Sequence, residues 1–211
     1  MNLSNYFWYF KSALTPRFCD EVIKYALSKE ETMALTGGYG RDRNLNKKPL
    51  NKEEVKNIQR KRKSDLVWFN DAWIYKEIHP YVHKANRNAG WNFEWDRSES
   101  CQFTKYKLNQ FYNWHCDTSE EVIHRPQVPH AHGKIRKLSC VVFLSDPKDY
   151  VGGQFKFDFR NNRVGCNIME VTENQKGNII VFPSYCWHKV FPVTSGERYS
   201  LVGWYLGAPY K

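Results

Sequence analysis

The sequence predicts a mainly β protein with flanking helices (α+β), folded as a double-stranded β-helix: a jelly-roll, cupin-like barrel. Three observations lead there. From Phe93 onward, apolar runs of strand length alternate with Gly, Asn, Asp and Pro. Two upstream segments instead carry their apolar residues at helical spacing. About eight short strands in succession suit a jelly roll whose mouth can hold a ligand. With 211 residues and 41% hydrophobic content, the chain is long enough for one well-buried core and short for two. Residues 1–211 are therefore read as a single domain, with 1–92 supplying helices and a basic loop and 93–211 the jelly-roll core.

Each element has a local reason. Thr15 is a good helix cap and Pro16 fits the first helical position. Phe18, Cys19, Val22, Ile23, Ala26 and Leu27 then form one stripe, so a helix to about Ser28 should back the sheet. Residues 37–64 are rich in Gly, Asn and Lys and read as a long surface loop with a helical turn over 53–58. A strand follows at 65–69. The segment 71–88 places Ile74, Ile78, Tyr81, Val82 and Ala85 on one helical face, with Pro80 forcing a kink or restart. The expected barrel strands are 93–95, 101–108, 111–115, 138–144, 155–159, 168–172, 178–182, 189–193 and 199–206.

Composition narrows the setting. No run approaches the roughly 20 apolar residues of a membrane helix. Lys11 halts Tyr6-Phe7-Trp8-Tyr9-Phe10, without a basic segment or cleavage pattern around it. The expectation is a soluble, non-secreted, cytoplasmic protein. Cys19, Cys101, Cys116, Cys140, Cys166 and Cys186 form no Cys-x-x-Cys pair, which fits free thiols in a reducing compartment. The net charge is +10. It is concentrated partly in Arg60-Lys61-Arg62-Lys63 and in Lys134, Arg136 and Lys137, read as solvated charge or as a surface that steers anionic partners.

The chemistry enters at His115 and Asp117. Positions i and i+2 of a strand face the same way, so one imidazole and one carboxylate can meet one ion. His188, from a distant strand, can complete the set. Two neutral imidazoles and one carboxylate leave a divalent ion with open positions, the arrangement of non-heme Fe(II) oxygenases. Arg198 follows ten residues later. A hairpin turning at Gly196 would return it beside His188, one layer deeper than the metal. Arg198 and Ser200 would then share a face, as would Val202 and Trp204. There Arg198 could pair with the far carboxylate of 2-oxoglutarate through two prongs, with a hydroxyl bond from Ser200.

At these residues the chain resembles the 2-oxoglutarate and Fe(II)-dependent oxygenases, in particular the prolyl-hydroxylase-like branch containing the PKHD-type hydroxylases. The resemblance rests on 102–106, Gln110-Phe111-Tyr112-Asn113-Trp114-His115-Cys116-Asp117, Gly152-Gly153-Gln154-Phe155, Gly177-Asn178, 181–184, His188-Lys189-Val190, Pro192-Val193, Gly196-Glu197-Arg198-Tyr199-Ser200 and Trp204, in that order. It implies that His115, Asp117 and His188 bind iron, that Arg198 anchors 2-oxoglutarate and that Tyr106 adds a hydrogen bond to it. It further implies O2 as co-reactant, ascorbate as a reductant, and hydroxylation of a peptidyl proline or other amino-acid side chain with release of succinate and CO2. A nucleic-acid demethylase and a non-enzymatic binding module are the alternatives on this barrel. The oligomeric state is left open.

Two positions depart from the family pattern. Phe143 stands where many members carry a tyrosine whose hydroxyl helps hold the far carboxylate. Asn109 stands where members tend to have glycine, and asparagine tolerates the left-handed turn. In the 118–136 connection, His124, His130 and His132 are read as surface residues of a loop that could serve as a lid. His79 and His83 are read as structural or exposed. Trp114 and Trp187, facing away from the ligands, are expected to wedge the barrel against its helices, and Cys116 to point away from the metal.

Overall fold

Alternation along single strands divides the molecule into two cores, one on each face of its larger sheet. In this computed structural model residues 3–34, 50–118, 121–160 and 168–210 are described. Among them, fifteen strands run in chain order: β1 (Trp8–Phe10), β2 (Thr32–Met33), β3 (Arg62–Lys63), β4 (Asp65–Phe69), β5 (Arg97–Ser98), β6 (Cys101–Tyr106), β7 (Phe111–His115), β8 (Ile135–Phe143), β9 (Tyr150–Gly152), β10 (Phe155–Asp158), β11 (Ile168–Glu170), β12 (Ile179–Pro183), β13 (Trp187–Val190), β14 (Val193–Gly196) and β15 (Arg198–Gly207). The major sheet has the order β1-β12-β8-β15-β6-β4-β2, with β5 also on β15. The minor sheet is β11-β10-β13-β7-β3, and β9 pairs with β14. Every ladder pairing is antiparallel, as in a double-stranded β-helix.

The central strand β8 shows how one sequence serves both cores. Leu138, Cys140 and Val142 face the helices, while Val141 and Phe143 face the minor sheet. Period 2 requires this division. Leu201 and Tyr205 of β15 and Cys101 and Phe103 of β6 join the helix side. Tyr106, Phe155, Phe157, Ile180, Phe182 and Val190 pack between the sheets.

Among the described residues the α-helices are α1 (Pro16–Leu27), α2 (Lys52–Lys61) and α3 (Ala72–Asn88). In α1, Thr15 Oγ1 accepts from the Phe18 amide and Pro16 opens the helix, as expected. Its Cys19, Val22 and Ala26 join Ile74, Ile78, Val82 and Ala85 of α3 against the major sheet. Helix α3 runs unbroken through Pro80, so no restart occurs there. Residues 37–49 of the expected loop lie outside the described residues. Its C-terminal part is a full helix rather than a turn: Asn51 and Glu54 form a reciprocal capping box, and buried Ile58 anchors α2. No strand forms at 93–95; Phe93 and Trp95 pack on the helix-side core and Arg97–Ser98 pairs with β15 instead. The Tyr6–Phe10 aromatic run seals the barrel edge through β1, where Phe7 stacks on Phe157 at 5.4 Å. No described helix is long and apolar enough to cross a membrane.

Much of the basic charge is engaged. Lys134 pairs with Asp96 at 2.6 Å, Arg136 pairs with Glu99 and lies 4.0 Å over Trp204, and buried Lys137 lies 3.7 Å over Tyr210. The 121–134 connection folds Ile123 and Ala131 onto Leu206, and His124, His130 and His132 are exposed. His79 and His83 stack into an aromatic cluster with Trp95, the structural role expected of them.

Candidate active site

The interior faces of both sheets converge on one cavity. The minor sheet contributes His115, His188, Tyr112, Val190 and Phe155, and the major sheet contributes Arg198, Ser200, Tyr106, Gln102 and Trp204.

His115 and His188 are cross-strand partners on β7 and β13. Each ring is aimed by its own chain two residues back: His115 Nδ1 bonds Asn113 O at 2.7 Å and His188 Nδ1 bonds Cys186 O at 2.9 Å. Both bonds require the Nδ1–H tautomer, which leaves Nε2 as the free lone pair of each ring. Those Nε2 atoms lie 3.7 and 3.6 Å from the two Asp117 carboxylate oxygens. The ligand atoms of His115, Asp117 and His188 fall within 4.8 Å of one another, the only such His/Cys/Asp/Glu group among the described residues. An ion with bonds of roughly 2.0–2.2 Å spans such gaps.

The electrostatics suit a divalent cation. Burial, helped by nearby His188, holds the His115 imidazole well below its usual pKa, so it is neutral and able to ligate at neutral pH. Burial acts to raise the Asp117 carboxyl, but His188, His115, Arg136 and the Ser139 hydroxyl outweigh it and the group is held below the ordinary carboxylate range. Asp117 is fixed from behind. Its amide donates to Ser184 O at 2.8 Å, Ser139 Oγ donates to Oδ2 at 2.7 Å, and Ser139 and Ser184 hydroxyls lie 2.9 Å apart. Ser139→Ala is expected to lower Fe(II) affinity roughly 10–100-fold, the usual effect of losing an orienting partner; a metal titration followed by thermal shift measures it.

Tyr112 also faces the cavity, although it is three residues from His115. Residue pairs His188↔His115 and Val190↔Tyr112 show one extra residue on β7, a bulge that lets both side chains point inward. Their rings stack at 3.4 Å. The outward residues Trp114 and Trp187 do not join the core that α1 and α3 form with the major sheet. Trp114 and Trp187 line a surface hollow with Cys116 on the open face of the minor sheet, and Lys189 and Arg160 lie over them at 5.9 and 3.7 Å. Helices α1 and α3 back the major sheet, while α2 lies beside β3 and β7 of the minor one.

Arg198 reaches the cavity by a different route from the one expected. Strand β15 does not return beside His188; it pairs with β6 and β8 in the major sheet and faces His188 across the barrel. Arg198 is 2% exposed, its Nη1 lies 3.5 Å from Ser200 Oγ, and its Nη2 has no hydrogen-bond partner among the described residues. The Tyr106 and Phe143 rings lie 5.4 and 5.8 Å from its guanidinium carbon. Such an unpaired buried donor fits an incoming carboxylate. Phe143 packs in the core between the sheets and presents only an apolar ring to the guanidinium, and Asn109 takes the left-handed conformation (φ 59). Gly153, at φ +62, leaves room for Arg198: a Cβ there would stand 2.8 Å from Arg198 Cδ. Gly153→Ala is expected to cost about 1–3 kcal/mol of stability from backbone strain and to weaken 2-oxoglutarate binding; thermal melts and a cosubstrate titration read the two effects.

One lining residue went unrecognised in the sequence. Arg62, placed there within an exposed basic run, is 4% exposed. Its Nε donates to Ser64 Oγ at 2.9 Å, Nη1 to Gln102 Oε1 at 3.3 Å and Nη2 to Thr104 Oγ1 at 3.4 Å, and its guanidinium lies 4.4 Å over the Tyr112 ring. The available signal was the pair Arg62 and Ser64 directly before the strand at 65–69, alternate residues that period 2 turns to one side. None of residues 121–134 lines the cavity.

Comparison with known proteins agrees with this geometry. A PKHD-type hydroxylase of Alteromonas mediterranea is 32% identical over 105 residues, which cover 48% of this chain and 41% of that protein. The chain thus matches about two fifths of the length of that relative. Among solved structures, a viral collagen prolyl hydroxylase from Paramecium bursaria Chlorella virus-1, in its 2OG complex, superposes with a TM-score of 0.65 at 19% identity, covering 96% of this chain and 97% of that one. A Trichoplax adhaerens prolyl hydroxylase in complex with a hypoxia inducible factor peptide fragment superposes with a TM-score of 0.62 at 17% identity, covering 95% and 83%. The family model for the 2OG-Fe(II) oxygenase superfamily matches residues 101–206. That stretch holds the three clustered ligands and the unpaired buried arginine alike, and the chain belongs to the 2OG-Fe(II) oxygenase superfamily.

Proposed function

We propose that this chain hydroxylates an unactivated C–H bond of a peptidyl proline or another amino-acid side chain, consuming O2 and 2-oxoglutarate and releasing succinate and CO2. The observation that carries the reading is the shared cavity: His115, Asp117 and His188 on one wall and the unpaired Arg198 guanidinium facing them.

In this reading the two Nε2 atoms and the Asp117 carboxylate hold Fe(II), and Arg198 with Ser200 takes the far carboxylate of 2-oxoglutarate. Tyr106, 3% exposed and lining the same cavity, adds a hydrogen bond to the cosubstrate. Bound iron and cosubstrate supply the oxidising chemistry. The protein's part is to aim and to shield. Ser139 and the backbone oxygens of Asn113 and Cys186 fix the ligands' orientation. Val141, Phe155 and Val190 give the cavity apolar walls that limit water. The peptide-bound Trichoplax relative supports a peptide or protein as the substrate.

The test is anaerobic reconstitution with Fe(II) and 2-oxoglutarate, followed by O2 and panels of peptides, free amino acids and oligonucleotides. Succinate formed in step with a mass gain of one oxygen on a peptide or amino acid is expected. Turnover confined to oligonucleotides, with binding that falls steeply in salt, would instead indicate a nucleic-acid enzyme. No succinate with any of them would leave a binding module.

A further inference from the structure

The cavity holds a second buried guanidinium that the proposed chemistry leaves unused. Arg62 makes three hydrogen bonds, all to neutral side chains, and among the described residues no carboxylate lies within ion-pair distance of it. A buried charge without a counter-charge is costly, and neutral acceptors offset only part of that cost. The group is held in place nonetheless. Ser64, Gln102 and Thr104 grip it from one side, and Tyr112, which itself stacks on His115, carries its face. The guanidinium is therefore one ring removed from a candidate metal ligand.

Charge balance in the cavity points the same way. With iron and cosubstrate bound, the two positive charges of Fe(II) and that of Arg198 face the negative charge of Asp117 and the two carboxylates of 2-oxoglutarate. That set is neutral. Arg136, the other arginine near Asp117, is already paired with Glu99. Arg62 is the cation left over.

We propose that Arg62 is a specificity-determining residue that binds a carboxylate on the primary substrate. This rests on the hydroxylase reading above and narrows it: the substrate carries an anion close to the C–H bond that reacts. Two sources offer that chemistry, the main-chain carboxylate of a free or C-terminal amino acid and an acidic side chain within a peptide. A guanidinium whose stem and stacking partner are already ordered loses little entropy on capturing a carboxylate.

The test is binding to the protein loaded anaerobically with Fe(II) and 2-oxoglutarate. Calorimetry compares matched pairs: proline with prolinamide, and peptides containing Pro-Glu with the same peptides containing Pro-Gln. The acid of at least one pair should bind roughly 10- to 100-fold more tightly than its neutral partner, the range of a charge-assisted bond. The pair that shows the difference identifies the source. In Arg62→Gln the preference should vanish, and in Arg62→Lys it should persist in weakened form. Equal binding of acid and amide in both pairs to the parent protein overturns the proposal without recourse to any variant. So does a loss of 2-oxoglutarate affinity in Arg62→Gln matching that of an Arg198 variant, because Arg62 would then belong to the cosubstrate clamp. Succinate formation with a neutral prolyl peptide as efficient as with its acidic counterpart overturns the carboxylate requirement and keeps the hydroxylase. An intact acid preference with no succinate from any substrate does the reverse.

Discussion

His188→Ala abolishes 2-oxoglutarate-dependent succinate release, by more than the roughly 10–100-fold that loss of an outer partner produces. His188 is 4% exposed, its ring sits 4.9 Å from Phe182 and 5.5 Å from Phe155, and the imidazole 4.1 Å away, His115, is itself one of the three candidate ligands. With one Nε2 removed, His115 and Asp117 alone give two ligand atoms, too few to close one face of an octahedral site. The variant should also fail to gain thermal stability on adding Fe(II), a shift expected of the parent protein through linkage of binding to folding. A folded His188→Ala protein that still turns over 2-oxoglutarate at a comparable rate would remove the triad from the mechanism.

Arg198→Met separates binding from stability. Truncating one partner of a buried, hydrogen-bonded charge pair costs about 2–5 kcal/mol, so 2-oxoglutarate affinity should fall by a corresponding factor while Fe(II) binding persists. Without cosubstrate the sign reverses. Arg198 is among the largest fully buried side chains and leaves Nη2 unbonded beside Tyr106 and Phe143. An unbranched apolar chain of similar length removes that desolvated donor, and the ligand-free variant is expected to melt at a higher temperature than the parent. A lower melting temperature together with unchanged cosubstrate affinity would make Arg198 a structural residue.

The candidate site was readable in the sequence where chemistry and short-range geometry coincide. Arg198 and Ser200, two apart on β15, face one cavity as strand periodicity requires, and His115 and Asp117 reach the same cavity although Asp117 sits in a bend just past the end of β7. Helix α1 was readable to its cap because Thr15, Pro16 and the stripe behind them act within one turn. Helix α2 was underestimated, although Asn51 and Glu54 spell a capping box, because its low apolar content masked the signal. Failures of the local reading lie where partners are distant. The bulge on β7 that turns Tyr112 inward exists only against β13, and the hairpin expected to seat Arg198 beside His188 is replaced by pairing with β6 and β8.

Arg62 marks the boundary most clearly. In the sequence it is one of four consecutive cations, and most such runs stay solvated. What buries it is the pairing of β3 with β7, which lays its side chain over Tyr112 and under Gln102 and Thr104 of the opposite sheet. Residue types and two-residue periods determined by themselves the barrel class, the candidate ligand set and the shared face of Arg198 and Ser200, since these are written in short stretches of chain. Which sheet each strand joins, and so which charges share a cavity, was decided by the tertiary structure, because only packing between strands far apart in the chain sets what a buried cation must face.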